Sequence, residues 1–527
     1  MKSIRIINKF ICGVVFIAFF QVSCQDMLDI PQHGTDSFDT FYKTDSEADQ
    51  AITACYVTIT EIYFNYYTVK NMQADDFWVG GGGRGDNADI EKLNEFTFNA
   101  DNDYVKNAFE SYYSVIYRAN VVLGRVPDET PTQKRARAEA KVFRAFAYID
   151  LISLWGTPPL VDRELSPSEY QQANGDPAAL WRLVETDLTE AIESGALREK
   201  SDVNDRSSYR ITKQFAQALL GKAYVYQEKM QEAAQELDKV ITSGKYDLYP
   251  DFENVLQYTT NNNCESMFEF NYVNDRNTPE TNWTIFFQMA GWRTDYISIS
   301  AGTPLADMVQ TGQWGYYSAF QKDLYDAFVA EEGEDGYRLN ATMKTYPQVQ
   351  ELGGNIFPGE NLYGYEGYFM WKNRTDPDEV IGYVWGFILC TQKNIRLMRY
   401  SEVLLLAAEA HFKSGNAVKA AEYVNIVRQR AKLNDKPTVT MDDIMLEKRL
   451  ELCAESVRFQ DMLRWGIAAD KLKDQGRTQP ALQSNGTVQY VEYNPGNSAG
   501  FKARNVLLPF PQVEITLNKN IRQNDGW

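Results

Sequence analysis

The sequence predicts a mostly α-helical protein, with a tetratricopeptide-like α–α superhelix as scaffold and a large, irregular, aromatic-rich insertion. Three observations predict this class. Apolar residues recur at helical spacing over residues 46–244 and again over 399–466. Two segments, 212–243 and 399–431, each have the pattern of two helices joined by a short turn. Between them, residues 245–398 hold half of the tryptophans and many Gly, Asn and Tyr, without sustained helical periodicity.

Composition excludes several classes of function. Hydrophobic residues make up 44% and charged residues 24% of the 527, which is typical of a folded protein with a core. The net charge of -19 argues against nucleic-acid binding, which needs clustered basic charge. With only two histidines, His33 and His411, we expect no His-based triad, no multi-His metal site and no cofactor. Length alone would allow three or four domains, but we predict a single domain over residues 46–527.

The first 45 residues read as a targeting signal and a tether. Lys2, Arg5 and Lys9 precede the apolar run of residues 10–20, which at eleven residues is too short to cross a bilayer. Cys24 follows a small residue, as in a bacterial lipobox, so we predict a signal peptide over residues 1–23 and lipidation of Cys24. A plain signal peptide cleaved near residue 23 stays open as the alternative. Residues 24–45 are polar and are predicted to be a tether and lead-in.

Each scaffold helix has its own apolar stripe. Predicted helices cover residues 103–125, 136–154 and 177–192, and Gly156 with the prolines after it ends the second of these. In segment 212–243, Leu220-Gly221, Tyr224 and Ala233 match a tetratricopeptide repeat. A last helix is predicted over residues 441–466, with a capping box of Thr440 and Asp443 at its start.

Several segments together resemble one family, the SusD/RagB outer-membrane nutrient-binding lipoproteins. The segments, in chain order, are Cys24 with Leu28-Asp29-Ile30-Pro31, residues 139–148 running into 154–161, residues 399–410 with 424–431, residues 447–452 with 458–465, and the ending 508–511 with 523–527. They extend from residue 24 to 527, so the resemblance covers essentially the whole chain. Any one of them is weak evidence, whereas the ordered set is specific.

The resemblance implies a lipid-anchored protein on the outer membrane of a Gram-negative bacterium, facing the cell exterior. Such proteins capture glycan, act as the lid of a SusC-like TonB-dependent barrel, and are not enzymes. Some relatives take peptides instead, so a peptide ligand stays open. A helical glycoside hydrolase is a weaker alternative, since no motif pairs two carboxylates across a cleft. A generic repeat adaptor for protein partners would not explain the signal, Cys24 or the aromatic insertion.

Two regions combine the aromatic rings that stack on sugars with the polar groups that bind hydroxyls. The first is the segment after residue 74, predicted to be a mobile glycine-rich loop, and the second is the insertion. The predicted ligand-binding residues are Asp75, Trp78, Arg84, Asn87, Trp283, Trp292, Trp314 and Tyr316. A lone Trp is more often core than platform, and Trp155, Trp181 and Trp465 lie on helical stripes and are predicted to be core.

Three further features have structural interpretations. Asp75-Asp76 could form a metal or acid–base pair, but adjacent carboxylates are commonly solvated turn residues. His411 is predicted to be structural. The cysteines at 55, 264, 390 and 453 lack CxxC spacing, so we expect buried free thiols, with one chance disulfide as the alternative.

Overall fold

The computed structural model describes residues 41–206, 209–272, 275, 277 and 285–527. The predicted signal peptide, the predicted lipidation at Cys24 and the predicted ligand contact at Trp283 lie outside these residues and stay predictions. Among the described residues, none of the helices combines the length and the apolar character needed to cross a bilayer.

The predicted class is confirmed, because most of the regular structure is helical. The described residues contain eighteen α-helices: α1 (Asp45–Asn71), α2 (Ala88–Glu95), α3 (Asp103–Arg125), α4 (Pro131–Trp155), α5 (Pro177–Glu193), α6 (Lys213–Tyr226), α7 (Met230–Thr242), α8 (Ile285–Ala290), α9 (Pro304–Met308), α10 (Lys322–Glu332), α11 (Tyr337–Thr342), α12 (Tyr346–Glu351), α13 (Tyr400–Lys413), α14 (Ala417–Arg430), α15 (Met441–Leu452), α16 (Arg458–Arg464), α17 (Ala468–Lys471) and α18 (Gln512–Leu517).

The scaffold is a succession of helices that each pack on the next. Helix α1 packs on α3, α3 on α4, α4 on α5, α5 on α6 and α6 on α7, after which α7 packs on α13 and α13 on α14. The tetratricopeptide-like pair α6–α7 shows why its glycine is needed. A Cβ at Gly221 would lie 2.5 Å from Cγ of Leu237, so only glycine permits this approach of the two helices.

The helix boundaries follow local signals in the sequence. Helix α4 starts at a capping box of Thr130 and Gln133 with Pro131 at its first position. It ends at Gly156, whose φ of 79° lies in the left-handed region that favours glycine. The predicted capping box of Thr440 and Asp443 is present at the start of α15.

The prediction of a single helix over residues 441–466 is wrong. The structure divides it into α15 and α16, because Ala454 and Ser456 between them have φ of 66° and 63°. Asn71 at the end of α1 fixes this break: its Oδ1 accepts from the Ser456 backbone N at 3.1 Å, and its Nδ2 donates to the Ser456 hydroxyl at 2.8 Å. The apolar stripe continues across the break, so periodicity alone does not reveal it.

The strands are short and belong mainly to the insertion: β1 (Phe77–Trp78), β2 (Ser266–Phe270), β3 (Ile297–Ile299), β4 (Ala319–Phe320), β5 (Met343–Thr345), β6 (Gly354–Ile356), β7 (Asn361–Tyr363), β8 (Tyr368–Met370), β9 (Val380–Val384), β10 (Ile388–Thr391), β11 (Ile395–Arg399), β12 (Thr478–Gln483) and β13 (Val488–Glu492). They form a four-stranded sheet of order β1-β4-β8-β5, a three-stranded sheet of order β13-β12-β7, and the antiparallel pairs β9–β10, β2–β11 and β3–β6.

The insertion has a hydrophobic core of its own beside the scaffold core. This second core contains Trp78, Trp292, Trp371, Phe369 and Leu482 among its buried residues. Two of these come from outside residues 245–398: Trp78 from the segment before α2, and Leu482 from β12 near the end of the chain. The insertion is therefore completed by distant segments, a connection that the sequence does not signal.

Buried charges join the scaffold to the insertion. The Arg399 guanidinium bonds Glu265 and Glu451 (3.0 Å), which are buried, and Glu455 (2.6 Å), which is half-buried. Burial alone would raise the pKa of Glu451, but Arg430, Arg399 and Arg338 outweigh burial and lower that pKa to about 2. This cluster holds α15 against the strand pair β2–β11.

Several single-residue predictions are settled by burial. Trp155 is buried in the scaffold core, as predicted, whereas Trp181 is partly buried against that core and Trp465 is half-buried. His411 lies with its Nε2 3.0 Å from Oδ1 of Asp238, which ties α13 to α7 and fits the predicted structural role. The four described cysteines form no disulfide with one another; three of them are buried and Cys264 is half-buried.

Candidate functional site

Asp75 and Asp76 form a buried ion-pair cluster with Arg449 and Arg458, which we call the acidic anchor. The two carboxylate oxygens of Asp75 each accept a hydrogen bond from Arg458 at 2.7 Å. Asp76 accepts from Nε of Arg449 at 2.9 Å. Both carboxylates are buried, so the interpretation of this pair as solvated turn residues is wrong.

The electrostatics of the acidic anchor follow from its geometry. Burial raises the pKa of Asp75, but Arg449 and Arg458 outweigh it and bring that pKa down to about 2. Burial raises the pKa of Asp76, and Arg449 offsets only part of this increase. Asp75 is 4% exposed and both of its oxygens are occupied, which favours a structural role over ligand binding.

Residues 79–87, which we call the glycine loop, follow directly; residues 79–81 are buried and residues 82–87 reach the surface. The Gly80 backbone N donates to the Tyr316 carbonyl at 3.1 Å. A Cβ at Gly81 would lie 2.6 Å from the Tyr316 ring, so the ring covers this glycine closely. These contacts indicate that the glycines serve close packing of the loop on the insertion, in contrast to the mobile loop that the sequence suggested.

Asp86 organises the loop from within. Its Oδ2 accepts hydrogen bonds from the Gly82 backbone N at 2.7 Å and from the Tyr316 hydroxyl at 2.8 Å. Burial raises the pKa of Tyr316, and the hydrogen bond to Asp86 raises it further. Tyr316 therefore stays a neutral donor that fixes the loop to the insertion.

The loop ends at Asn87, whose position is set by two contacts. Its Oδ1 accepts from the Ile90 backbone N at 3.4 Å and so caps helix α2, while its Nδ2 donates to the Tyr104 hydroxyl at 2.9 Å. Arg84 is held by α2: it bonds both carboxylate oxygens of Glu95 and stacks 4.7 Å over the Tyr493 ring. Both side chains are thus pre-positioned at the surface by protein contacts.

Beside the loop lies a cavity of about 620 Å³, which we call the glycine-loop cleft. Helix α1, the end of the glycine loop with the start of α2, and the first turns of α3 provide its walls. The lining residues are Phe64, Asn65, Asp86, Asn87, Ala88, Asp89, Asp103, Tyr104 and Asn107. Two aromatic rings and three carboxamides in one concave surface are the combination that carbohydrate recognition needs.

Two of these carboxamides are available to a ligand. Asn65 and Asn107 are half-buried on the cleft wall, and within the described residues neither side chain has a hydrogen-bond partner. The rings of Phe64 and Tyr104 line the same cleft, with centroids 5.8 Å apart. Half-buried amides without protein partners favour a ligand that brings its own hydroxyl groups.

The charge of the cleft restricts its ligand. Asp86, Asp89 and Asp103 line it, and only Asp89 and Asp103 are paired with lysines, at 3.1 Å and 2.6 Å. A cavity with this excess of carboxylates repels anions, so a neutral ligand fits better than an acidic one. Among the described residues no group of three or more His, Cys, Asp or Glu is arranged to hold a metal ion.

The structure separates the predicted ligand residues into two sets. Arg84, Asn87 and Tyr316 meet at the glycine loop, where Tyr316 is 8% exposed, and Trp314 is half-buried two residues before Tyr316. In contrast, Trp292 is 1% exposed and its Nε1 donates to the Met370 carbonyl at 2.7 Å. Trp78 is 9% exposed in the core of the insertion. Burial favours a structural role for Trp78 and Trp292, and no bound ligand tests any of these predictions.

Sequence reasoning missed the scaffold side of the cleft. Phe64, Asn65, Tyr104 and Asn107 lie on helices α1 and α3, whose apolar stripes drew attention to packing. The sequence does contain one signal, an aromatic residue close to an asparagine on each helix. Phe64 is adjacent to Asn65 on α1, and Tyr104 is one turn before Asn107 on α3. Only the fold brings the two pairs together.

This architecture and this cleft define a helical-repeat protein with an aromatic-rich insertion and a polar surface cleft at their junction. Comparison with known proteins identifies the family to which the chain belongs. Residues 264–527 match the family described as "SusD family", and residues 39–225 match the one described as "Starch-binding associating with outer membrane". The chain belongs to the SusD/RagB family.

Relatives and solved structures agree with this assignment over the full length. The chain is 23% identical to "SusD-like protein P2" of Formosa agariphila, covering 98% of this chain and 99% of that protein. A solved "Laminarin binding SusD-like protein" is 28% identical with a TM-score of 0.76, covering 92% of this chain and all of that one. Surface glycan-binding protein A of Bacteroides thetaiotaomicron, solved with laminarihexaose, is 24% identical with a TM-score of 0.70, covering 91% of this chain and 99% of that one.

Proposed function

We propose that this protein binds a neutral glycan of the laminarin class in the glycine-loop cleft. The observation that carries the proposal is the pair of half-buried carboxamides, Asn65 and Asn107, which have no protein partner among the described residues and stand beside the rings of Phe64 and Tyr104. Carboxamides bond sugar hydroxyls and aromatic faces cover sugar C–H surfaces. The similarity to a laminarin-binding protein supports the same ligand class.

The protein acts, in this proposal, as a lipid-anchored receptor on the outer membrane, facing the exterior, that delivers glycan to a SusC-like TonB-dependent barrel. Anchoring would take place through acyl chains on Cys24, and two or more chains hold a protein on a membrane stably. The two similar solved proteins are named for laminarin or glycan binding, which supports a receptor that does not alter its ligand chemically. Family membership supports the partner and the location.

Calorimetric titration of the full-length chain in detergent micelles tests the ligand class. We expect laminarin to bind, a uronic-acid polysaccharide to give no heat because of the cleft carboxylates, and no new reducing ends to appear. Release of reducing ends would contradict the receptor proposal and favour a glycoside hydrolase. If no glycan binds, the proposal is wrong and the peptide-binding alternative replaces it.

A double variant locates the site. Asn65→Ala with Asn107→Ala should weaken laminarin binding about tenfold or more, since each lost hydrogen bond contributes about 1 kcal/mol. The matched control is Asn497→Ala, an exposed carboxamide outside the cleft lining. Equal affinities of the double variant and the control would move the site away from the glycine-loop cleft.

A further inference from the structure

The β9–β10 hairpin has an exposed aromatic tip at which three rings fall within five residues. Tyr383 is 50% exposed, Trp385 74% and Phe387 55%. Residues 380–388 contain no charged side chain. Exposed rings this close together are typical of binding surfaces, whereas single exposed apolar residues need no explanation.

The turn at this tip keeps a tryptophan in a conformation that costs free energy. The Phe387 backbone N donates to the Val384 carbonyl at 3.2 Å, closing a turn over Trp385 and Gly386. Their φ angles are 52° and 81°, as in the type I′ turn that favours Asn-Gly. A left-handed backbone is unfavourable for a bulky L-residue, and Asn would make the same turn more easily. Such an outlier at an exposed position points to a use for the indole.

The hairpin is joined to the segment that carries Trp314. The side-chain Oε1 of Gln288 accepts from the Leu389 backbone N of β10 at 3.4 Å, while its backbone carbonyl accepts from the Trp314 backbone N at 2.7 Å. Gln310 lies with Nε2 3.5 Å from the Tyr383 hydroxyl. Residues 310–314 thus lie between the hairpin and Tyr316, which fixes the glycine loop.

We propose that this aromatic tip is an additional stacking surface for a long neutral glycan whose main contact is the glycine-loop cleft, an inference that rests on the proposed function. A stable protein partner needs about 800 Å² of surface on each side. Three partly exposed rings, each burying at most about 150–250 Å² when fully covered, offer less than that. A sugar ring needs only one aromatic face, and the uncharged tip suits a neutral chain.

Substitution of the turn residue separates binding from structure. We expect Trp385→Asn in the full-length chain in detergent micelles to weaken laminarin binding roughly fivefold, a typical loss for one aromatic contact. We expect laminarihexaose, the shorter ligand, to bind the variant and the parent equally, because the cleft is the main contact in this proposal. Because Asn favours this turn, the melting temperature should stay the same or rise. Tyr170→Ala, which removes an exposed ring elsewhere, is the matched control.

Each outcome has one meaning. If the parent binds neither glycan, the proposed function fails and this inference fails with it. If the parent binds laminarin and Trp385→Asn binds it equally well, the additional surface is refuted while the proposed function stands. A lower melting temperature together with weaker binding of both glycans would assign Trp385 to the structure of the hairpin. In that case Phe387→Ala, which leaves the turn residues intact, decides the inference. It must weaken the binding of laminarin and leave the binding of laminarihexaose unchanged, or the inference is wrong.

Discussion

Residues 75–78 and residues 79–87 are neighbours in the chain, yet they have opposite roles. The first segment is buried, with Asp75 and Asp76 in ion pairs and Trp78 in the core of the insertion. The second is buried only at residues 79–81 and then reaches the surface, where it places Asp86 and Asn87 on the wall of a cleft. The difference teaches that partners distant in sequence decide the role of a loop residue. Arg449 and Arg458, more than 370 positions away, make the first segment structural.

The largest expected effect is at the acidic anchor. Asp75→Asn removes the charge that compensates Arg458 and Arg449 and leaves buried guanidinium groups uncompensated. Breaking one partner of a buried ion pair costs about 3–5 kcal/mol, so the free energy of unfolding in urea should fall by about that amount. Asp86→Asn, in the exposed segment, is the control and should cost less than half as much. Equal losses would remove the distinction between the two segments.

The two tryptophans predicted as platforms should behave differently. Trp78→Ala empties part of the core of the insertion and should cost about 3 kcal/mol or more of unfolding free energy. Trp314→Ala removes a half-buried ring and should cost less while weakening laminarin binding. Thermal unfolding and calorimetry of both variants measure the two effects. A normal melting temperature for Trp78→Ala, combined with lost binding, would show that this ring is a platform after all.

Buried carboxylates should make the stability of the protein depend on pH in both directions. Burial raises the pKa of Glu139 and of Glu379 to about 7. In the unfolded chain a Glu titrates near about 4.3, so folding is progressively disfavoured as the pH rises from there to about 7. The pKa shift of the Asp75 carboxyl has the opposite sign. Its folded pKa of about 2 lies below the unfolded value, so its contribution to the stability of the fold is lost as the pH falls below about 4.

Melting temperatures between pH 3 and pH 8 measure this dependence. Glu139→Gln should flatten the loss of stability between pH 5 and pH 7, an effect of about 2 kcal/mol. Asp75→Asn should flatten the loss below pH 4 and leave the slope between pH 5 and pH 7 unchanged. An unaltered slope in both variants would show that these carboxylates do not control the pH dependence.

The smallest expected effect on stability is at the bond that fixes the exposed segment. Tyr316→Phe keeps the ring over Gly81 but removes the hydrogen bond to Asp86, which should cost about 1 kcal/mol of unfolding free energy. Laminarin binding should weaken because Asp86 and Asn87 lose their fixed position. Tyr104→Phe, which removes the bond to Asn87 on the other side, is the companion variant. Unchanged binding in both would show that the loop needs no positioning.

The helical part of the fold could be predicted from the sequence because its signals are local. The capping boxes at Thr130 and Thr440, the stop at Gly156 and the apolar stripes set helix positions to within a few residues. The break at residues 453–457 could not be predicted, since Asn71 from another helix fixes it. The core of the insertion could not be predicted either, since strands β1 and β12 join it from distant parts of the chain.

The site was predictable in part for the same reason. Arg84, Asn87 and Tyr316 stand out in sequence because polar and aromatic residues alternate with glycine there. The cleft wall formed by Phe64 and Asn107 does not stand out, because the two residues belong to different helices. Asp75 was misleading, since nothing near it in the sequence announces its arginine partners.

The positions of the buried arginine and glutamate residues constrain the order in which the chain can fold. Synthesis delivers Asp75, Arg338 and Arg399 first, but their counter-charges Glu447, Glu451, Glu455 and Arg458 lie on or beside α15 and α16, close to the end. Most of the polypeptide must be synthesised before these charged groups can be buried in pairs, because burying them unpaired has a large desolvation cost. The chain therefore stays open until its last sixth emerges, and a truncation before residue 441 should yield an unfolded product.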